Sequence, residues 1–175
     1  NQHIPQSDEA SAGASPLIVD IADIQHYEHN PRQGRNPEYD RIKDSIRSQG
    51  LDQPLVITRR PGVENYIVYA GGNTRLLVLK ELYEETGEAQ FAHVPCVISI
   101  WHSESDVLLA HLRENDLRGN LTFIDKAQAL CEARRMIAAE LCFENISQKQ
   151  LETEIRQAGY RIHQGLISRM TYAVE

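Results

Sequence analysis

A chain of 175 residues, 41% hydrophobic and 25% charged, has room for one medium domain or two small ones around a real core. No apolar run approaches the ~20 residues that cross a bilayer and no basic-then-apolar leader opens the chain, so a cytosolic protein without a membrane partner is expected. A net charge of −7 argues against a uniformly basic nucleic-acid binder and leaves that role to a local surface only.

Residues 1–16, rich in Ser, Ala, Gln and acidic groups, predict a flexible tail. Leu17 to Ile24 is apolar enough for a short strand, and Asn30-Pro31 to Asn36-Pro37 reads as a loop. Asn36 is a good N-cap with Pro37 behind it, and Tyr39, Ile42 and Ile46 follow at helical spacing until Gly50. Pro54 to Thr58 and Tyr66 to Ala70 predict two strands joined by a Pro61-Gly62 turn. After Gly71-Gly72 a helix is expected from Thr74 to Thr86, stopped by Gly87, and then a strand from Val94 to Ile100.

Beyond that strand every signal is helical. Ser103 with Asp106 and Thr122 with Asp125 are capping starts, the second opening a helix to Leu141, and Ser147-x-x-Gln150 is a full capping box. A last helix starts near His163, with Leu166, Ile167 and Met170 inward. The chain is thus mixed α/β to about residue 119 and helical afterwards, an α+β architecture. Cys96, Cys131 and Cys142 form no CxxC and read as reduced, mostly buried thiols. The histidines show no metal-ligand spacing, and Trp101 reads as packing.

Three short segments carry chemistry. In Tyr66-Ile-Val-Tyr-Ala-Gly-Gly-Asn-Thr-Arg75 a strand runs through two glycines into a helix, where close backbone approach and N–H groups at the helix start favour an anion. Arg75 in the first turn can grip a phosphate in a forked arrangement. Upstream lies Asn30-Pro-Arg-Gln-Gly-Arg35, and downstream Glu114-Asn-Asp-Leu-Arg118, a polar helix end. Each segment alone reads as well as a plain turn or a polar helix end.

Their order and spacing resemble the ParB/sulfiredoxin-like superfamily, and within it the ParB partition family. The glycine turn resembles the family's Gly-Glu-Arg-Arg box, with Gly72 at the glycine, Asn73 and Thr74 replacing Glu and the first Arg, and Arg75 retained. The upstream segment resembles Asn-Pro-x-Gln-Pro-Arg, and the downstream one Glu-Asn-x-x-Arg. The resemblance implies a small mixed-sheet domain over residues 17–119, followed by a helical linker and helix-turn-helix domain over 120–175. It implies CTP with Mg²⁺ held by Gln33, Arg35, Gly71, Gly72, Asn73, Thr74, Arg75, Asn115 and Arg118. Glu114 and Asn115 would face the metal, and Glu114 would position water for slow hydrolysis. Sulfiredoxins carry a nucleophilic Cys at this turn and this chain does not.

The last two helices read as a helix-turn-helix. Its segment 147–175 holds four basic residues against three acidic ones, a local balance of +1. A recognition helix presents polar groups near its N-terminus, here His163, Gln164, Ser168 and Arg169, while Ser147, Lys149 and Arg161 suit phosphates. The turn is about three residues longer than usual in the family. The implied partners are double-stranded DNA, a second copy in a dimer and a ParA-type ATPase, with a nucleoid-associated location. In the family a C-terminal dimerisation domain follows the helix-turn-helix. The altered glycine box resembles ParB homologues of integrating conjugative elements. The same alteration leaves a second reading open, a DNA-binding adaptor or transcriptional regulator that does without nucleotide.

Overall fold

The computed structural model describes residues 16–119 and 121–174. The tail expected over 1–16 lies outside them apart from Pro16. Strand β1 (Leu17–Asp20) and strand β2 (Ile24–Gln25) share one apolar stretch, broken by a 3-10 turn at Ile21–Asp23. The break is local chemistry, because the Asp20 carboxylate accepts from the Ala22 N–H at 2.8 Å. Helix α1 (Tyr39–Gln49) leads to β3 (Leu55–Thr58), β4 (Tyr66–Val68), α2 (Asn73–Thr86), the short α3 (Ala89–Ala92) and β5 (His93–Ile98). Helices α4 (Glu104–Leu117), α5 (Phe123–Glu140), α6 (Gln148–Gln157) and α7 (Gln164–Val174) complete the chain.

The five strands lie in the order β1-β5-β3-β4-β2. β1 runs antiparallel to β5, β5 parallel to β3, β3 antiparallel to β4 and β4 parallel to β2. β1 and β2 are therefore the two edges of the sheet, although only the 3-10 turn separates them. Four strand spacings would put the edges of a flat sheet roughly 19 Å apart, more than the ~14 Å that four extended residues reach. The sheet must curl, and the first segment straps it.

Two apolar clusters divide the interior. One gathers the sheet with α1 and α2, including Leu55, Ile57, Val68, Leu76, Leu79 and Phe91. The other is built from α4 to α7, including Leu108, Leu112, Leu130, Ile137, Leu151, Ile155 and Ile167, and reaches Tyr27 and Ile67. Helix α4 thus follows the sheet in sequence but contributes its buried face to the helical core. All three capping starts form as expected: Ser103 Oγ accepts from Asp106 N, and Thr122 and Ser147 close full capping boxes. Trp101 packs half-buried against the helical cluster.

Three expectations are corrected. Helix α1 begins at Tyr39 rather than at Pro37, because Asn36 Oδ1 accepts from Glu38 N and holds a turn there. Cys142 is exposed with a left-handed φ of 59°, and only Cys96 of the thiols is fully buried. The helix expected to reach Leu141 ends at Glu140, and Leu141 is 43% exposed.

Candidate functional site

At the mouth of the sheet, the glycine turn, α1 and the C-terminal half of α4 enclose a cleft of about 360 Å³. Gly71 (φ +60°) and Gly72 (φ +99°) carry the chain from β4 into α2 through backbone only glycine holds without strain. No side chain caps α2, so its first N–H groups face the cleft with the positive end of the helix dipole. A Cβ on Gly71 would sit 2.8 Å from Glu114 Cγ, which shows how tightly the turn packs on α4.

The cleft collects four arginines, Arg32, Arg41, Arg75 and Arg118, against two carboxylates, Asp52 and Glu114. Arg75 Nη1 donates to Gln53 O at 3.0 Å, while its Nε is buried with no partner. Burial, and then the Arg118 charge, hold its pKa below the ordinary arginine value. Arg32 Nε is buried without a partner as well, and burial lowers its pKa too. Buried guanidinium hydrogens without acceptors, gathered in one concavity of an acidic protein, call for an anion. Arg32 comes from the Asn30–Arg35 loop and Arg41 from α1, and no local pattern in the sequence marks Arg41.

Gly71, Gly72, Asn73, Thr74, Arg75, Glu114, Asn115 and Arg118 all line this one cleft. Several of their side chains are already engaged. Asn73 grips the backbone of Tyr27 at both ends, Oδ1 accepting from its N–H at 3.0 Å and Nδ2 donating to its carbonyl at 3.2 Å. Thr74 Oγ1 accepts from Asn36 Nδ2. Arg118 chelates Glu114 Oε1 at 2.9 and 2.5 Å. Asn115 Nδ2 donates to His111 O, which leaves the amide oxygen as the group to offer a ligand. Gln33 and Arg35 stand apart. They line an adjoining chamber of about 660 Å³ that shares Asn30, Arg32, Asn36, Asn73 and Thr74 with the cleft. Arg35 is paired there with Asp40 at 2.9 Å and lies over the Tyr39 ring.

His111 closes the floor. It is fully buried and stacked on Tyr27 at 4.7 Å, with Nε2 at 2.9 Å from Val68 O and Nδ1 without a partner. The carbonyl accepts, so Nε2 carries the proton and the ring is neutral; burial pushes its pKa down to about 4. An unfolded chain protonates this histidine near 6.5 and so binds more protons than the folded one between about 6.5 and 4. Stability should therefore fall on acidification through that window, by on the order of 3 kcal/mol in all. Urea unfolding at stepped pH will show this slope in the wild type and a flatter one in His111→Asn; equal slopes would remove the assignment.

Elsewhere Glu28, His29 and Glu104 bring donor atoms within 4.8 Å of one another. Arg60 bonds both carboxylates, at 2.7 Å to Glu28 and 2.5 Å to Glu104, so the group is an ion-pair network tying the Tyr27 loop to α4.

In the helical part, α6 and α7 flank the turn 158–163 as a helix-turn-helix. Lys149, Arg161, His163, Gln164 and Arg169 are exposed. Ser147 is exposed too, but its hydroxyl is held by the cap on Gln150 N. Ser168 is half-buried, and its hydroxyl donates to Gln148 Oε1 at 2.6 Å and ties the two helices together. Tyr172, 88% exposed on α7, adds an aromatic to the outer face.

A family model, the ParB N-terminal domain, matches residues 6–115, well over half of the chain. The chain belongs to the ParB family. Over 125 residues it is 28% identical to the probable chromosome-partitioning protein ParB of Vibrio cholerae, covering 71% of this chain but 39% of that one. The chain thus spans well under half of the curated relative's length. Among solved structures, a Pnob8-like ParB N-domain matches with a TM-score of 0.60 at 17% identity, over 82% of this chain and 61% of that one. The C-terminally truncated ParB of Caulobacter crescentus, complexed to the centromeric parS site, matches with a TM-score of 0.51 at 16% identity, over 90% and 71%. At these identities the likeness establishes the ParB fold. Among the described residues no helix is long and apolar enough to cross a membrane.

Proposed function

We propose that this ParB-family chain is a partition-type DNA-binding module governed by a nucleoside triphosphate, CTP on the family resemblance. The observation that carries the reading is the four-arginine cleft over the uncapped start of α2. The cleft suits a polyphosphate, and the adjoining chamber with Gln33 and Arg35 suits the nucleoside attached to it. Mg²⁺ fits the donor set: Glu114 and the Asn115 amide oxygen are hard ligands beside the arginines, and the ion would offset phosphate charge when bound. Glu114 would orient water for slow hydrolysis. DNA would meet the face carrying Lys149, Arg161, His163, Gln164 and Arg169. On the family pattern the working unit is a dimer on the nucleoid, served by a ParA-type ATPase.

The test is the melting temperature with CTP, GTP, ATP and UTP, each with and without Mg²⁺. Ligand at about a hundredfold its Kd stabilises a fold by ~2.7 kcal/mol, roughly 5–10 °C for a chain of this size. A rise of that order with CTP and Mg²⁺ alone is the expected result; a flat response to all four defeats the nucleotide reading. One observation favours the alternative, an adaptor that binds DNA without nucleotide. Asn73 is spent on Tyr27 at both ends, so Arg75 and the Thr74 hydroxyl, which accepts from Asn36 and keeps its own hydrogen, are the side chains the turn itself can offer phosphate.

A further inference from the structure

Helix α4 has two working faces. Glu114, Asn115 and Arg118 line the cleft. Arg113 and Asp116, one turn apart, point at the helix-turn-helix instead. Arg113 Nη1 donates to Ala158 O at 2.8 Å, and Ala158 is the C-terminal cap of α6. A cation there satisfies a carbonyl the helix leaves unbonded and meets the negative end of its dipole. Asp116 Oδ2 accepts from Tyr160 Oη at 2.9 Å, and its other oxygen holds Lys126 of α5. Tyr160 is buried, and both burial and this bond push its pKa well above the ordinary phenol value.

The turn into α7 is thereby clamped at two points. Between them stands Gly159, with φ +81°, where a Cβ would come within 3.0 Å of Arg113 Nη1. Only four positions separate Tyr160 from the first residue of α7, so the pose of α7 follows that of the turn.

We propose that Arg113 and the Asp116–Tyr160 pair are the positioning residues through which occupancy of the cleft sets the pose of the DNA-reading helix. The inference rests on the nucleotide reading above. A polyanion in the cleft competes for Arg118, which Glu114 now holds, and so acts on the C-terminal turns of α4. Arg113 and Asp116 lie on those same turns and carry the displacement to Ala158 and Tyr160. Linkage makes the effect reciprocal: DNA that favours one pose of the turn favours one state of the cleft.

Amide hydrogen exchange on the full chain, with and without CTP and Mg²⁺, reads both ends at once. In the wild type, residues 71–76 should gain protection, and exchange across 158–166 should change by a factor of roughly 5 or more, the lower end of ordinary couplings. In Arg113→Met and Tyr160→Phe the protection at 71–76 should persist while the response at 158–166 is lost; Arg113→Lys should restore part of it. Protection at 71–76 with a silent turn in the wild type, or an undiminished turn response in Tyr160→Phe, overturns the coupling and leaves the nucleotide site standing. No protection at 71–76 removes the nucleotide reading and the coupling with it.

Discussion

Arg75→Ala will cut the thermal response to CTP and Mg²⁺ by half or more while leaving the unliganded protein nearly as stable as before. The two halves of this expectation have different causes. In the free protein Arg75 is half-buried, makes one bond, to the Gln53 carbonyl, and feels the repulsion of Arg118 with its buried Nε unpartnered. Removing it gives up one charged hydrogen bond and relieves a desolvated cation, and the two effects largely offset. With a polyphosphate bound, the same guanidinium gains the acceptors it lacks. A charge-assisted hydrogen bond of that kind is worth ~1.5–3 kcal/mol, so affinity should drop by about 10- to 150-fold. Isothermal titration of both proteins measures it directly. Equal Kd values would mean the ligand sits elsewhere, and a collapse in unliganded stability would make Arg75 a structural residue.

The second large effect is expected at Gly71. Alanine there must adopt φ +60° and bring its Cβ within 2.8 Å of Glu114 Cγ, on a side chain already tied to Arg118. Gly87 supplies the control, since it has a similar φ of +67° with nothing within 4 Å of a Cβ. Gly87→Ala should cost about 1 kcal/mol for backbone strain alone. Gly71→Ala should cost that and a further ~1–3 kcal/mol of overpacking, a melting temperature lower by roughly 4–16 °C against 2–4 °C for the control. It should also weaken CTP binding, because Glu114 and Arg118 must shift to make room. Matching losses in the two variants would show that Glu114 yields freely and that the contact is not a constraint.

Elements whose start or stop is written in adjacent residues are legible in the sequence itself. Ser103, Thr122 and Ser147 each satisfy their own helix, and Gly50 and Gly87 end theirs, so those boundaries need no tertiary context. The apolar stretch at 17–24 was read as one strand because hydrophobic pattern does not reveal that Asp20 bonds forward and breaks it. Helix α3 has four residues, too few for a period, and is held by the burial of Phe91. At the cleft, the glycine turn and the Glu114–Arg118 segment were visible because each is contiguous. Arg32 is part of the contiguous Asn30–Arg35 segment, whereas Arg41 has no such mark and reaches the same wall only through the packing of α1. Ser168 looked outward by residue type, yet its partner, Gln148, lies twenty positions away on the facing helix.

The strap formed by β1 and β2 has a consequence for how the protein is made. Leu17 pairs with Cys96, and Ile24 with Tyr66. Of the five described strands, the first to leave the ribosome therefore waits for the last before it finds its neighbour. Contacts between segments so far apart in the chain slow folding, because the intervening loop must be closed before the pairing repays it. During synthesis, closing the curled sheet is a late event, reached only after β5 has emerged. A strand that paired with the wrong edge in the interval would leave the glycine turn without its wall.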